Sequence, residues 1–165
     1  MSNEMDSHNL THMAHLIASA GRTTHEADSP ESDELARQVS DLTAALKDPD
    51  RHVRWQAART LSETPVVTAA PALVEAMNDE DFGVVWLAAE ALTKLGSAAL
   101  EPLLQAMVEG HETLWCRQGA YRIIRALVDT VSRPDLKPVL HALESAEPDV
   151  TTPVAAHEAL WEMHQ

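Results

Sequence analysis

The sequence is poor in the residues on which several classes of protein depend. It has one cysteine, Cys116, so no disulfide can form within the chain, which is typical of a reducing compartment. One Phe, one Tyr and 5 Gly among 165 residues argue against a turn-rich β architecture, in which aromatic and β-branched residues dominate. Alanine and leucine are frequent instead, and both are strong helix formers. The composition therefore predicts an all-α protein.

Basic residues are also few, with 12 Lys and Arg against 26 Asp and Glu, a net charge of −14. Such a chain mostly repels polyanions, so neither nucleic acid nor an anionic membrane is an expected partner. Residues 1–6 are acidic and lack the basic start and apolar core of a signal peptide. No uninterrupted apolar run approaches the roughly 18 residues that suggest a membrane span. We expect a cytoplasmic protein.

A repeat of 31 residues runs through the chain. Segment 46–53 reads LKDPDRHV, and segment 77–84 reads MNDEDFGV at an offset of 31. Each is followed, at the same distances, by an Ala-Ala pair and a leucine. The offset carries once more to Trp115 and Ala120, and a looser fourth copy includes Pro138. Repeats of this length are typical of stacked helical units.

Each unit is predicted to consist of two helices joined by an acidic turn. Leu35, Val39 and Leu42 follow at i, i+4 and i+7 and form one apolar stripe. Pro49 ends this first helix, and Asp50 can cap the second by accepting backbone N–H groups. The predicted helices are 32–47 and 51–63, 69–78 and 81–95, 98–109 and 112–129, and 135–146 and 150–163. They make a repeat domain over 32–165, with units near 32–63, 66–96, 97–130 and 134–165.

The turn and the residues that follow it resemble a known repeat family. An acidic turn, Val-Arg, Ala-Ala and Leu, with a Pro-Leu-containing first helix, resembles HEAT-like repeats of the short, phycobilisome-lyase-like variety. The resemblance implies a right-handed α-solenoid of about four helix pairs, whose second helices line a concave face. The signature arginine is Arg54, but its counterparts are Val85 and Cys116. A continuous ladder of Asp–Arg pairs between repeats is therefore not predicted.

Helical periodicity places Trp55 and Trp86 at equivalent sites on successive second helices, on the face that the repeat leaves open. Arg59, Arg117 and Arg125 are predicted to form a basic rim around them. Exposed aromatic residues with arginines at their edge are typical of interfaces, and an acidic peptide or helix is a plausible ligand. The same residues could instead pack along the solenoid and stiffen it. Trp115 aligns with Val84 and is expected in the core, and Trp161 is expected to cap the final helix. The candidate partner-binding residues are Trp55, Arg59, Trp86, Leu87, Glu90, Leu114, Arg117, Tyr121 and Arg125.

The N-terminal segment, residues 1–31, is predicted to be a histidine-rich helix over 5–19 followed by a polar linker over 20–31. Three histidines, His8, His12 and His15, fall on one face of this helix and could bind Zn, Ni or Cu, with Glu4 as a further ligand. The alternatives are a solvated helix face and a helix that docks on the first repeat as a cap.

The sequence contains no catalytic motif. Cys116 and His111 are five residues apart and fall on different helix faces, and no glycine-rich phosphate loop is present. We therefore predict no catalytic residues and no required cofactor, and a protein-binding adaptor or scaffold. Two alternatives stay open: a subunit of a bilin chromophore lyase or isomerase, on the family resemblance alone, and a metal-responsive binding protein using the N-terminal histidines.

Overall fold

A computed structural model describes residues 30–110, 113–131 and 133–165, and within these ranges the chain is helical with no β-strand. The predicted all-α fold is confirmed. Short 3-10 turns at Val67–Ala69, Gly96–Ala99 and Pro134–Leu136 lead into the first helices of the later units. The α-helices are α1 Pro30–Ala45, α2 Arg51–Glu63, α3 Ala70–Ala76, α4 Phe82–Leu95, α5 Leu100–Glu109, α6 Leu114–Val131, α7 Lys137–Leu143 and α8 Pro148–Met163.

The helix bounds differ from the predicted ones mainly at the first helices of the units. α3, α5 and α7 start later than predicted, because a 3-10 turn replaces the start of each. α3 and α7 also end two and three residues earlier than predicted. α1 begins at Pro30, so the last two residues of the predicted linker are helical. The predicted helix over 5–19, its metal-ligand candidates Glu4, His8, His12 and His15, and also His111, lie outside the described residues.

The acidic turns work as helix caps in both of the clearest repeats. Asp50 and Asp81 each accept a hydrogen bond from the backbone N–H two residues later, at 2.8 Å. Asp48 and Asp79 in turn accept from the backbone N–H of those two capping residues, also at 2.8 Å. Each acidic turn therefore both ends one helix and starts the next, as its sequence predicts.

The second helices α2, α4 and α6 pack side by side in one row, while α3 and α5 pack in the other. Ala58 and Ala89, the equivalent alanines of α2 and α4, are buried. The Ala89 Cβ lies 3.5 Å from the position that a Cβ on Gly119 of α6 would occupy, so α4 and α6 approach closely there. Apolar side chains from both rows fill the space between them and are fully buried. Among these core residues are Leu61, Leu73, Met77, Leu92, Leu104 and Ile123.

The fourth unit departs from this stacking. α8 packs mainly against α5 and α7 instead of extending the row of second helices. The ring of Pro153 lies 3.9 Å from the position that a Cβ on Gly110 would occupy, and His164 Nε2 lies 3.6 Å from Glu101 Oε1. The first contact joins the end of α5 to the start of α8, and the second joins the start of α5 to the end of α8. The two helices are therefore antiparallel. The regular row therefore comprises α2, α4 and α6.

One stretch of the described residues, Phe82–Glu109, is long and apolar enough to cross a membrane by length and composition. In the fold it is two helices, α4 and α5, separated at Gly96, whose φ of 61° favours glycine. Most of its leucines, including Leu92 and Leu103, are buried in the core. A buried pair of core helices passes the same test, so this stretch is weak evidence for a membrane segment.

Candidate functional site: an aromatic face on the second helices

Three aromatic side chains meet on the surface where α4 and α6 begin. The Phe82 ring lies 5.2 Å from the Trp115 ring in an edge-on arrangement, and 6.4 Å from the Trp86 ring. Phe82, Trp86 and Trp115 are 56%, 48% and 48% exposed, respectively. We call these three residues the aromatic cluster. Rings of this size rarely gather on a surface without covering by a partner.

Trp55 extends the aromatic cluster onto α2. Its indole lies against the backbone of Gly83, where an added Cβ would be 3.0 Å from Cδ1 and 3.1 Å from Nε1. Glycine at this position therefore allows the indole to reach the start of α4. Trp55 is 37% exposed. We refer to Trp55 together with the aromatic cluster as the aromatic face, which spans the three second helices.

A cation already covers one ring of this face. The guanidinium carbon of Arg122, on α6, lies 4.3 Å from the centroid of the Trp86 ring, on α4. Arg59 lies 5.5 Å from the centroid of the Trp55 ring on its own helix. Both distances fall within the range of cation–π attraction, and the Arg122 contact is the closer one.

Two of the predicted partner-binding residues, both on α4, have partners within the fold. Leu87 is partly buried and packs against the core. Glu90 pairs with Lys94 at 2.7 Å, and Lys94 Nζ donates to the Ser62 carbonyl oxygen, also at 2.7 Å. Leu114, by contrast, is 57% exposed and precedes Trp115 in the first turn of α6.

The predicted basic rim is neutralised within the chain. Arg59 pairs with Glu63 at 2.9 Å and Arg125 with Asp129 at 3.2 Å, each one helical turn away. Pairs of this exposed kind hold a side chain weakly, so neither arginine is locked in place.

Arg117 and Tyr121, the last two predicted partner-binding residues, connect α6 to the fourth unit. Arg117 forms an ion pair with Asp149. The Tyr121 hydroxyl donates to Glu144 Oε1 at 2.7 Å and accepts from Arg125 Nη1 at 3.1 Å. The hydrogen bond to Tyr121 also contributes most to raising the pKa of Arg125. These contacts give Arg117 and Tyr121 a structural role.

The expectation for Trp115 was wrong. The side chain is 48% exposed, and the buried position at the start of α6 belongs to Cys116, which is 1% exposed. Trp115 lies in the first turn of α6, and its indole packs on the Phe82 ring at the surface, whereas the smaller Val84, its equivalent in α4, is buried. Trp161, which is 66% exposed, covers little of the final helix.

Phe82, Trp115 and Arg122 are therefore the surface residues that sequence reasoning missed. Phe82 and Trp86 are four residues apart at the start of α4, and that spacing was a usable signal for a shared face. Arg122 carried no such signal, because its equivalent one repeat earlier, Ala91, is buried. Only the packing of α6 against α4 brings Arg122 over Trp86.

The helices of the regular row differ from the rest of the chain in charge. α2, α4 and α6 contain three acidic residues, Glu63, Glu90 and Asp129. Seven of the 12 Lys and Arg residues lie on the same helices, namely Arg51, Arg54, Arg59, Lys94, Arg117, Arg122 and Arg125. By formal charge these three helices are basic in a protein whose net charge is −14, and six of their seven bases pair with carboxylates of the chain.

Metal binding finds no support in the part of the chain that the structure describes, where no group of three or more His, Cys, Asp or Glu side chains is placed to hold an ion. The N-terminal histidines lie outside that part.

The model of the family described as HEAT repeats matches residues 18–92 and 39–122, which together cover more than half of the chain. The chain belongs to the HEAT repeat family, and the predicted resemblance is confirmed. HEAT repeats commonly act as protein-interaction scaffolds, and the family is generally non-catalytic. A search of the curated proteins found no match.

Proposed function

We propose that the protein is a non-catalytic adaptor that binds another protein through the aromatic face. The observation that carries the proposal is the gathering of Trp55, Phe82, Trp86 and Trp115 on three consecutive second helices while each remains more than a third exposed. A folded monomer gains little by exposing four large rings together, whereas aromatic anchors contribute most of the binding energy at many interfaces. The buried thiol of Cys116 offers no accessible nucleophile, which supports a binding role over catalysis.

The charge of the row supports an acidic partner. α2, α4 and α6 carry seven bases and three acids, and six of these bases pair with carboxylates of this chain. The seventh base, Arg122, lies over the Trp86 ring of the aromatic face and forms no ion pair with a described carboxylate. The other helices and turns carry most of the acids, so they would repel an acidic segment that approached elsewhere. Complementary charge of this kind steers encounter and sets the orientation of the partner.

The dimensions of the aromatic face support a peptide-sized ligand. Packed helices lie roughly 8–10 Å apart, so a strip across three of them is about 20 Å long. A helix of roughly 13 residues covers that length at about 1.5 Å per residue. The ligand we propose is therefore a short acidic helix or peptide of a cytoplasmic partner protein, with apolar side chains that pack on the rings.

The test compares capture of partners from native lysate by the wild-type protein and by the Trp55→Ala, Trp86→Ala double variant. The control is Trp161→Ala, which removes an equally large and more exposed indole from α8, away from the aromatic face. All three proteins must first show the same helical content by circular dichroism. Captured proteins are then quantified by mass spectrometry.

We expect a defined set of proteins to bind to the wild type and to the Trp161→Ala control and to be lost from the double variant. Equal capture by the double variant would refute the aromatic face as the binding surface. Loss of the same proteins from the Trp161→Ala control would place the binding surface at the C-terminal helix instead.

A further inference from the structure

Arg122 differs from the other arginines that the structure describes. It forms no ion pair with a described carboxylate, and its contact is the face of the Trp86 ring. The remaining described arginines all have a carboxylate of this chain within ion-pair distance. They are Arg37, Arg51, Arg54, Arg59, Arg117, Arg125 and Arg133.

The contact with Trp86 leaves Arg122 able to bind an anion. A guanidinium that packs its flat face on an aromatic ring keeps the N–H groups at its edge available, and these match the two oxygens of a carboxylate. At 4.3 Å from the ring centroid, the Arg122 guanidinium is held over Trp86. The ring therefore limits the positions that the arginine samples and lowers the entropy lost when an anion binds.

The surroundings of Arg122 define the rest of the ligand. Phe82 and Trp115 are exposed on either side of the interface between α4 and α6, and both lie in the same cluster as Trp86. An anion on Arg122 is therefore next to an apolar surface. An occupant that uses both must carry a negative group and a large apolar group close together.

We infer that Arg122 is the specificity-determining residue of the aromatic face, and that it receives the carboxylate of an Asp or Glu side chain of the partner. A large apolar side chain of the same segment packs on Phe82 and Trp115. This inference rests on the proposed binding function and deepens it, because it names the residue that distinguishes acidic segments from other apolar ones.

The test uses a library of random 12-residue peptides displayed on phage, selected separately against three immobilised proteins. These are the wild type, Arg122→Gln, and Arg37→Gln as the matched control. The control removes the same charge from α1, where Arg37 is exposed and pairs with Glu34. Circular dichroism confirms that each protein is folded. One synthetic peptide from the wild-type selection, and its version with Gln for Glu and Asn for Asp, are then titrated against all three proteins.

We expect peptides selected by the wild type and by Arg37→Gln to be enriched in Asp or Glu next to an aromatic or branched aliphatic residue. Selection against Arg122→Gln should lose the acidic enrichment and keep the apolar one. In the titrations, replacing the carboxylates should weaken binding to the wild type about tenfold and leave binding to Arg122→Gln nearly unchanged.

Acidic enrichment that persists in Arg122→Gln would overturn the inference, and so would a wild-type selection without acidic enrichment. Both of these results leave peptide binding by the aromatic face intact. A wild-type selection that enriches no peptide would instead contradict the proposed function itself, and the inference would fall with it.

Discussion

Arg54 and Asp79 form a bidentate ion pair between the first two repeat units. Arg54 Nε donates to Asp79 Oδ2 at 2.8 Å and Nη2 donates to Oδ1 at 3.2 Å, and the two side chains are 9% and 8% exposed. Arg54 Nη1 also donates to the carbonyl oxygens of Asp48 and Pro49. The hydrogen bond to Asp79 is the main reason that the pKa of Arg54 is raised above its usual value.

This pair occurs once in the regular row. At the equivalent place in the next repeat, Val85 is buried instead of an arginine, and Gly110 stands where the aspartate would be. Because the arginine and the aspartate are both absent from the second repeat, neither charge is buried there without its partner. The first two units are therefore joined by a buried ion pair that has no equivalent between the second and third units.

We expect Arg54→Met to lower the Tm on the order of 10 °C, because it leaves the largely buried Asp79 carboxylate without its charged partner. Asp79→Asn should also destabilise the protein, while the double variant should lose less than the sum of the two. Thermal unfolding followed by circular dichroism measures all four proteins. Additive losses would show that the two side chains are not coupled.

Gly83→Ala is expected to lower the Tm, although alanine in a helix normally stabilises it by up to about 1 kcal/mol relative to glycine. The new Cβ would lie 3.0 Å from Trp55 Cδ1 and 2.9 Å from Asp81 Oδ1, which caps α4. The indole must move, and the intrinsic fluorescence should change with it.

Thermal unfolding of Gly83→Ala in a Trp55→Ala background isolates the contact with the indole. The loss of Tm should be smaller there, because only the contact with Asp81 remains. An equal loss in both backgrounds would mean that Trp55 does not press on Gly83.

Removing a core side chain should lower the free energy of unfolding much more than removing a side chain of the aromatic cluster. Leu92 is fully buried, and Leu92→Ala should cost about 2–5 kcal/mol in the free energy of unfolding. Trp115→Ala removes a larger but 48% exposed side chain and should cost about 1 kcal/mol, chiefly the edge-on contact with Phe82. Urea unfolding measures both. A loss for Trp115→Ala as large as that for Leu92→Ala would mean that Trp115 belongs to the core after all.

Asp135 should give the protein an acid-sensitive contribution to stability. Arg133 Nε and Nη2 donate to its carboxylate at 2.9 and 2.6 Å, and these bonds hold the pKa of Asp135 below its ordinary value of 3.8. A lowered pKa in the folded state stabilises the fold above the unfolded pKa, and this contribution is lost as the pH falls through the folded pKa.

Asp135→Asn should therefore be less stable than the wild type at neutral pH, and the difference should shrink as the pH falls below about 4. Tm values from pH 7 to pH 2 test this, with Arg133→Gln expected to remove the same pH-dependent part. A difference between wild type and Asp135→Asn that stays constant across this range would exclude the ion pair as its source.

Most of the helices and both clear caps could be predicted from the sequence, because they depend on neighbours within one or two helical turns. α2 spans the predicted residues, and Asp50 and Asp81 cap as expected. The exposed positions of Trp55 and Trp86 also followed from the repeat and from helical periodicity. These features require no knowledge of how the units pack.

The contacts of Arg117 and Tyr121 were harder to predict because their partners are distant in sequence. Arg117 pairs with a residue 32 positions later, and Tyr121 with one 23 positions later. A helical pattern shows which face a side chain is on, and it does not show what approaches that face. Arg59 and Arg125, by contrast, pair with carboxylates four residues later, a spacing that the sequence does show. The exposed cation over Trp86 came from Arg122 instead, through the packing of α6 against α4.

The sequence by itself determined the helical repeat, the acidic turns and the family, because a 31-residue offset and local capping chemistry are written along the chain. Tertiary structure decided where α8 lies, that Trp115 faces solvent, and that Arg122 covers Trp86. Each of these depends on which helices come into contact and on how much space remains between their side chains. Such contacts join residues through packing across helices, which the local periodicity of a single helix does not specify.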